Sequence, residues 1–358
     1  KDNMAKAHIE NVAIDGLVTV VPDNIKYFSD DVERLGMQQS QALRIKKSVG
    51  LDKRHVVRDG VTALDLAEEA CKKLIEGLRK DKTDIGFLIF VTQSPDHRQP
   101  CNASILHGRL GLGMSVGAFD INLGCSGYVY GLFIAAGIIN SLGQDVLLVV
   151  GDTLSTQINP LDRSAGILFG DAASATLLSK RENQHMFFDL CSDGQGFQSI
   201  IVPAGGARLP SSKITCIDTE DDDGNIRSLD DLNMVGGEVF NFAIRTEPRA
   251  IQDLLDYSGH SLEEIDKFFL HQANKYIIRT ISKKLKIPSF KVPDDIISVF
   301  GNQSSASIPC VINENINPSE RQLCVLSGFG VGLSWASVVC ELNLRYCPPT
   351  FKWRVKDE

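Results

Sequence analysis

One cysteine, one histidine and one asparagine lie in surroundings where their side chains could do chemistry together. Cys125 lies in "LGCSG", His271 ends the apolar run "KFFLH", and Asn302 follows a glycine in "VFGNQSSAS". A thiolate can attack a thioester carbonyl and hold the acyl group, while an imidazole and an amide can donate to an oxygen that becomes negative. Together the three residue types favour acyl transfer through a thioester. Taken singly, each fits an ordinary structural role as well, as a small buried cysteine, a satisfied core histidine and a turn asparagine.

The residues after Cys125 predict how the cysteine is presented. The segment "YVYGLFIAAGII" has the pattern of an apolar helix, so Cys125 would lie at its N-terminus. Unpaired backbone N–H groups and the helix dipole favour a thiolate there and lower a cysteine pKa to between roughly 3.5 and 7.5. Gly124 and Gly127 would let a substrate approach the sulfur closely. If Cys125 is a nucleophile, we therefore expect a thiolate.

The elements around these residues occur twice along the chain in the same order. Helical periodicity over residues 62–78 precedes the strand pattern "DIGFLIFVTQS", and the helical "AIRTEPRAIQDLLDYSG" precedes "EEIDKFFLHQAN". "FDINLGCSGYVYGL" then matches "VFGNQSSASIPCV", and "QDVLLVVGDTLS" matches "RQLCVLSGFGVGLSW". This duplication predicts two α/β halves, residues 1–180 and 181–358, with sheets covered on both faces by helices. The three residues then lie at strand ends or in the turns after them, where open α/β sheets place function.

Composition and charge exclude several classes of function. The chain has 358 residues, of which 43% are hydrophobic and 23% charged, and a formal net charge of −8. The acidic balance disfavours nucleic acid as the main ligand. No apolar run approaches the roughly 20 residues needed to span a bilayer, and the first residues lack a signal-peptide stretch, so we expect no membrane association. Nine cysteines without a C-x-x-C pair argue against a disulfide framework or a zinc site and for the reducing cytoplasm.

An acidic loop at residues 216–231, "CIDTEDDDGNIRSLDD", is similar to a calcium-binding loop only in part. Thr219 stands where the first carboxylate ligand belongs. A solvated surface loop is the better interpretation, and we expect no metal site.

Six motifs occur along the chain in a fixed order. They are "DINLGCSGYVYGL", "PLDRSAGILFGDAASATLL", "LNMVGGEVF", "LHQANKYIIRTISKKL", "GNQSSASIPC" and "GFGVGLSW". By these motifs the chain resembles the beta-ketoacyl-ACP synthase III family of thiolase-fold condensing enzymes over most of its length. The resemblance implies a five-layered αβαβα fold with mixed sheets, usually a homodimer. It also implies that Cys125 accepts an acyl group, and that His271 and Asn302 bond the malonyl thioester carbonyl while decarboxylation generates an enolate.

The resemblance implies roles for further residues. The backbone N–H groups of Cys125 and Val331 would form the oxyanion hole, and Phe329 would stand beside the nucleophile and assist decarboxylation. Such enzymes take an acyl-CoA primer, extend it with malonyl-ACP to a 3-ketoacyl-ACP, and use no metal or redox cofactor. The resemblance also assigns CoA contacts to Arg163 and Arg44, and acyl-pocket positions to Gln99 and Phe169.

A basic face is predicted on the helix that follows His271. Lys275, Arg279 and Lys283 recur at four-residue spacing and therefore share one side of that helix. A basic helix beside the mouth of an active site suits an acidic carrier protein, although a solvated charged face has the same spacing. We expect this face to dock the acyl carrier protein.

Three positions depart from the family's pattern. Arg44 stands where a tryptophan commonly stacks on the CoA adenine. Arginine can also stack on a base, but the change favours the alternative that a carrier protein delivers the primer. Val331 replaces a glycine. Gln99 replaces an apolar residue that closes the partner subunit's acyl pocket, and a polar group there would admit a larger or more polar primer. The alternative to primary fatty acid biosynthesis is therefore a related enzyme of specialised lipid, polyketide or glycan biosynthesis with a primer other than acetyl.

Two other classes of enzyme are distant alternatives. HMG-CoA synthase shares the fold and the Cys-His-Asn set but needs a glutamate base where this chain has Gln93, and glutamine cannot take a proton at neutral pH. A cysteine or serine hydrolase would use Cys125 or Ser126, but "NLGCSG" lacks the G-x-S-x-G spacing and no acid partner is evident. The hydrolase and the condensing enzyme can be distinguished, because only a condensing enzyme should release CO₂ from malonyl-ACP.

Overall fold

Strands and helices alternate along residues 5–354, which the computed structural model describes. The strands are β1 Ala5–Pro22, β2 Ile25–Tyr27, β3 Lys53–His55, β4 Ile85–Val91, β5 Gly117–Ile121, β6 Asp145–Asp152, β7 Ala172–Ser192, β8 Ile200–Ile201, β9 Thr219–Glu220, β10 Ile226–Arg227, β11 Asn233–Met234, β12 Lys267–Leu270, β13 Gln322–Gly330, β14 Ser334–Leu342 and β15 Phe351–Trp353. The α-helices are α1 Phe28–Arg34, α2 Gln39–Val49, α3 Ala63–Leu78, α4 Asn102–Leu110, α5 Gly127–Leu142, α6 Gly236–Ser258, α7 Lys275–Leu285, α8 Ile297–Phe300 and α9 Ser307–Asn315.

One nine-stranded mixed sheet joins the two halves of the chain. Its order is β12-β13-β14-β7-β6-β4-β5, with β1 paired to β7 and β15. The long strand β7 makes the join, because its first part pairs with β6 and its last part with β14, both antiparallel. The boundary predicted between residues 180 and 181 falls inside β7, so the chain passes from one half to the other within a strand. The division into two domains stays a prediction.

The side chains of each strand alternate between two apolar clusters, and this alternation sets the layers. In β4, Ile89 and Val91 pack with α5 and α9, whereas Leu88 and Phe90 pack with α3 and α4. β13 alternates in the same way between the α5/α9 cluster and a third cluster built on α6 and α7. Helices therefore lie on both sides of each half-sheet and between the two. This confirms the predicted αβαβα arrangement.

The helices differ in polarity according to their layer. In α3, the predicted apolar face of Leu66, Ala70, Leu74 and Leu78 is buried, and the helix begins at a capping box in which the N–H of Thr62 donates to an N3 carboxylate. The central helix α5 is apolar on every side, as expected for a helix between two sheets. Within residues 5–354 we find no helix that combines the length and the apolarity needed to cross a membrane.

The second half departs from the first just before Asn302. The first half uses β5 to lead to Cys125, but the corresponding segment forms the short helix α8. Ile297 and Phe300 are both buried, three residues apart, which is helical spacing. The prediction that Asn302 follows a strand is therefore wrong, because the apolar residues there do not alternate.

Candidate active site

Cys125 lies in a tight turn between β5 and α5. The backbone N–H of Gly127 donates to the carbonyl of Gly124 at 2.7 Å, and α5 begins at Gly127 with Ser126 as its N-cap residue. Cys125 therefore lies just before the helix start, as the sequence predicts. Its partly exposed side chain forms part of the wall of a cavity of about 220 Å³.

The glycine-rich end of β13 makes room for Cys125. A Cβ atom on Gly328 would lie 2.5 Å from the carbonyl oxygen of Cys125, and one on Gly330 would lie 2.9 Å from its Sγ. Carbon atoms do not approach other heavy atoms this closely, so a side chain at either position would displace the nucleophile. The repeated glycines of "SGFGVG" are thus a requirement of the site.

Burial controls the charge of the Cys125 thiol. Desolvation raises the pKa of Cys125 to about 12, and the nearby carboxyl of Asp152 acts in the same direction. The Ser304 hydroxyl and the backbone N–H groups of Cys125 and Val331 favour the anion and partly offset this. The predicted thiolate is therefore wrong for the free protein, because the helix start favours the anion by less than burial disfavours it. The two N–H groups at the sulfur are those that the resemblance assigns to the oxyanion hole.

His271 follows β12, and a serine hydroxyl positions its ring. Burial lowers the pKa of His271 to about 3, so the ring is neutral. Its Nδ1 lies 2.7 Å from Oγ of Ser307, and that Oγ accepts the backbone N–H of Gln272 at 3.3 Å. The hydroxyl hydrogen of Ser307 can be donated to Nδ1, and in that tautomer Nε2 carries the ring proton. Phe329 packs edge-on against the ring, with centroids 5.4 Å apart.

Asn302 is oriented by its own loop. Its Oδ1 accepts the backbone N–H of Ser304 at 3.0 Å, which leaves the amide nitrogen available as a donor. Ser304 has a positive φ of 50°, uncommon for a residue with a side chain. The Ser304 hydroxyl also lies near Cys125 and its backbone near His271, although within residues 5–354 the hydroxyl completes no hydrogen bond of normal geometry. One serine that the sequence did not single out therefore connects the three predicted residues.

A buried carboxyl beside the site, that of Asp152, was also not predicted from the sequence. It ends β6, is 1% exposed, and accepts the backbone N–H of Gln93 at 2.7 Å and the hydroxyls of Thr92 at 3.2 Å and Ser305 at 3.3 Å. Burial raises the pKa of Asp152 to about 6. The sequence did contain an indication of it, because an acidic residue ends the apolar strand "DVLLVVGD". A carboxyl at that position must be buried and therefore hydrogen-bonded.

The other residues predicted for substrate binding divide between the cavity and the surface. Phe169 and Val331 line the cavity with Cys125. Arg44, Arg163 and Gln99 are exposed, and none of them lines this cavity. Their predicted contacts with CoA and with a partner subunit's acyl group stay predictions.

All three residues of the predicted basic face lie on α7. The stem of Lys275 packs over Gly50 at the end of α2, where a Cβ atom would collide with it. Arg279 is already paired, because its Nε lies 2.6 Å from Oδ2 of Asp294. Lys283 is exposed. The face exists, and a carrier protein would meet two of its cations without competing for a carboxylate of this chain.

The side chains able to hold a metal lie elsewhere. Across residues 5–354, one set of three possible ligands has its atoms within 4.8 Å of one another: His8 and Glu10 on β1 and His185 on β7, all exposed. In the acidic loop, Asp221 accepts the N–H of Asn225 at 2.9 Å and pairs with Arg227. That carboxylate is thus engaged within its own loop.

A cysteine at the start of the central helix of an αβαβα fold, with a buried histidine and asparagine gathered around the same serine, defines a thiolase-fold condensing enzyme. Comparisons with known proteins narrow the class. Models of the 3-oxoacyl-[acyl-carrier-protein] synthase III family match residues 119–194, and models of its C-terminal part match residues 255–342. The chain belongs to this family and is an acyl-transferring condensing enzyme.

Individual relatives match nearly the whole chain. A Campylobacter jejuni protein, named provisionally as a 3-oxoacyl-ACP synthase 3, is 36% identical over 95% of this chain and 97% of its own. The beta-ketoacyl-ACP synthase III of Streptococcus equi subsp. zooepidemicus is 34% identical over 83% of this chain and 90% of its own. The crystal structure of a 3-oxoacyl-ACP synthase from Burkholderia xenovorans superposes with a TM-score of 0.91 at 34% identity, covering 98% of this chain and 100% of that one.

Proposed function

We propose that this protein moves an acyl group from acyl-CoA to Sγ of Cys125 and then condenses it with malonyl-ACP. In the first step the sulfur bonds to the acyl carbon and CoA leaves as its thiol. In the second, malonyl-ACP loses CO₂ and its enolate carbon bonds to the acyl carbon. The C–S bond breaks, and the sulfur of Cys125 regains a proton. The products are 3-ketoacyl-ACP and CO₂, and the balance requires no metal or redox group.

The observation that carries this proposal is the environment of the sulfur. The backbone N–H groups of Cys125 and Val331 both favour negative charge at Sγ, within a cavity that is otherwise largely apolar. The oxygen of a tetrahedral intermediate formed at this sulfur would develop its charge near the same donors. Donors fixed in this way stabilise a transition state without reorganising, and removing one typically costs about 10²–10³ in rate.

His271 and Asn302 suit the decarboxylation step for a different reason. Both are neutral donors, and each has its opposite atom occupied by a serine, Nδ1 by Ser307 and Oδ1 by Ser304. The ring N–H of His271, which also lies at the Ser304 backbone, and Nδ2 of the Asn302 amide are then the donors for the malonyl thioester oxygen. A neutral imidazole can strengthen this bond as the oxygen becomes an enolate.

The proposed partners are an acyl carrier protein at α7, CoA at Arg44 and Arg163, and a second copy of this chain. Strand β5 supports the dimer, because it is the last strand of the sheet and all five of its residues are partly exposed. Sedimentation should therefore give twice the mass of one chain. We also propose the reducing cytoplasm as the location, which suits nine cysteines that are all free.

The test of the reaction is the mass of the intact protein after incubation with a panel of acyl-CoA and acyl-ACP thioesters. We expect one acyl adduct in the wild type and none in Cys125→Ala. Adding malonyl-ACP to the acylated protein should remove the adduct and release CO₂. The proposal fails if no thioester acylates the wild type, or if the adduct persists in Cys125→Ala.

The HMG-CoA synthase alternative is disfavoured by the position of Gln93. This residue lines the cavity beside Cys125, where that enzyme requires a carboxylate base. Its amide cannot accept a proton at neutral pH. Because Gln93 lines the cavity, it also influences which primer the cavity accepts.

A further inference from the structure

One wall of the Cys125 cavity is polar. Most of the lining is apolar and comes from Leu154, Phe169, Ile200, Ile201, Val202, Leu232 and Val331. Gln93, Asn122 and Gln157 add three amides. An unsubstituted acyl chain needs only the apolar part, and polar groups facing it would lose hydrogen bonds when the chain displaces water.

The amide groups are only partly satisfied by the protein. Nε2 of Gln93 donates to Oδ1 of Asn122 at 3.3 Å, and Nε2 of Gln157 donates to the backbone carbonyl of Gln93 at 3.1 Å. Within residues 5–354, Oε1 of Gln93 and Nδ2 of Asn122 have no hydrogen-bond partner from the protein itself, and Asn122 is exposed. The Gln93–Asn122 pair therefore presents one acceptor and one donor group. Turning both amides around leaves one of each, so this result does not depend on their assignment.

The pair lies next to the nucleophile. A Cβ atom on Gly124, the residue before Cys125, would collide with Oε1 of Gln93 and would lie 2.8 Å from Cγ1 of Val331. The backbone N–H of Gln93 is fixed by its 2.7 Å bond to Asp152, which holds this side of the cavity in place. A substituent that reaches the pair must therefore be close to the thioester carbon.

We infer that Gln93 and Asn122 form a polar subsite that selects a short primer with a hydroxyl group near its thioester. A hydroxyl donates one hydrogen bond and accepts others, so it can satisfy Oε1 of Gln93 and Nδ2 of Asn122 together. A carboxylate only accepts, and an ammonium group only donates. No lysine, arginine, aspartate or glutamate lines the described cavity to balance either charge. This inference rests on the proposed function, since the subsite acts on the acyl group carried by Cys125.

The test compares initial rates of Cys125 acylation, measured by intact mass, for butyryl-CoA, 2-hydroxybutyryl-CoA and 3-hydroxybutyryl-CoA. We expect at least one hydroxyacyl-CoA to react about tenfold faster than butyryl-CoA, which corresponds to about 1.4 kcal/mol and a neutral hydrogen bond or two. Gln93→Leu and Asn122→Leu should each reduce that ratio to about one or invert it. The control Leu232→Val, an apolar change in the same wall, should leave the ratio unchanged even if both rates shift.

Each outcome separates the two proposals. Equal rates for all three thioesters in the wild type, or a preference that survives both leucine variants, would overturn the polar subsite while leaving the condensing reaction intact. If none of the three thioesters acylates Cys125, nor any other in the wider panel, the proposed function itself fails and the subsite with it.

Discussion

The turn before α5 and the turn before α9 occupy equivalent places in the two halves but carry different chemistry. Both helices pack in the central layer between the half-sheets. The first turn carries Cys125, the proposed nucleophile, with two backbone N–H groups at its sulfur. The second offers a hydrogen-bond donor, Asn302, whose oxygen is tied to its own loop. Duplication thus brings two helix starts together, and in the proposed reaction one of them takes the covalent role while the other supports charge on the substrate.

Burial makes the reacting groups of both halves neutral. It raises the pKa of Cys125 to about 12 and lowers the pKa of His271 to about 3. A charged pair such as the Cys–His pair of cysteine proteases therefore does not exist in the free protein. The difference between the halves is therefore that one carries the sulfur and the other carries neutral hydrogen-bond donors, and charge enters with the substrate.

The largest expected effect separates the chemistry of the two turns. His271→Ala and Asn302→Ala should each slow CO₂ release from malonyl-ACP by about 10²–10³, because each removes a donor to the enolate oxygen. Acylation of Cys125 should change little, since the donors at its sulfur are the backbone N–H groups of Cys125 and Val331. CO₂ release and intact mass, measured on the same samples, check this. Near-normal CO₂ release in both variants would mean that His271 and Asn302 have only structural roles.

A smaller effect concerns the charge of the nucleophile. Below a thiol pKa of about 12, the thiolate fraction rises about tenfold per pH unit, so alkylation of Cys125 by iodoacetamide should keep rising between pH 7 and 10. A pKa in the lowered range expected from the helix start would give a plateau above about pH 8. Alkylation must be followed by peptide mass, because Cys216 is exposed and also reacts.

The Asp152→Asn variant tests the cause of that shift. The carboxylate of Asp152 raises the pKa of Cys125, so its neutral replacement should lower that pKa. Alkylation at any fixed pH below the pKa should then be faster than in the wild type. Thr92→Val removes one hydroxyl bonded to the same carboxyl and should leave the Cys125 profile nearly unchanged. If the pH dependence of Cys125 alkylation is the same in Asp152→Asn as in the wild type, desolvation alone raises the pKa of Cys125.

What could be predicted from the sequence depended on local patterns. The face of α3, the apolar strands and the helix after Cys125 follow from the spacing of apolar residues within short segments. The glycines of "SGFGVG" and the motifs around His271 identified the family. Each of these signals lies within a single element, so it can be recognised without knowledge of the tertiary fold.

The missed features depend on contacts between distant parts of the chain. Asp152 meets Ser305 across 153 positions, and Gly330 meets Cys125 across the two halves. The pKa of Cys125 was predicted from a helix start alone, yet its value depends on how much protein surrounds the sulfur. The helix α8 replaced a predicted strand because the duplication was assumed to be exact. Neither the burial of a group nor the places where a repeat deviates can be known without the packed structure.

The smallest expected effect concerns the basic face of α7, where the second half would meet a carrier protein. Lys275→Glu with Lys283→Glu should raise the KM for malonyl-ACP by roughly threefold to tenfold at low salt and less at high salt, because exposed charges act through a screened field. Arg279→Glu is a poorer probe, since it would also place a carboxylate beside Asp294. Lys180→Glu on β7, which reverses an exposed lysine that forms no ion pair within residues 5–354, is the matched control. An unchanged KM in the double variant would mean that α7 carries a solvated charged face, and the docking surface would then have to be sought elsewhere around the cavity.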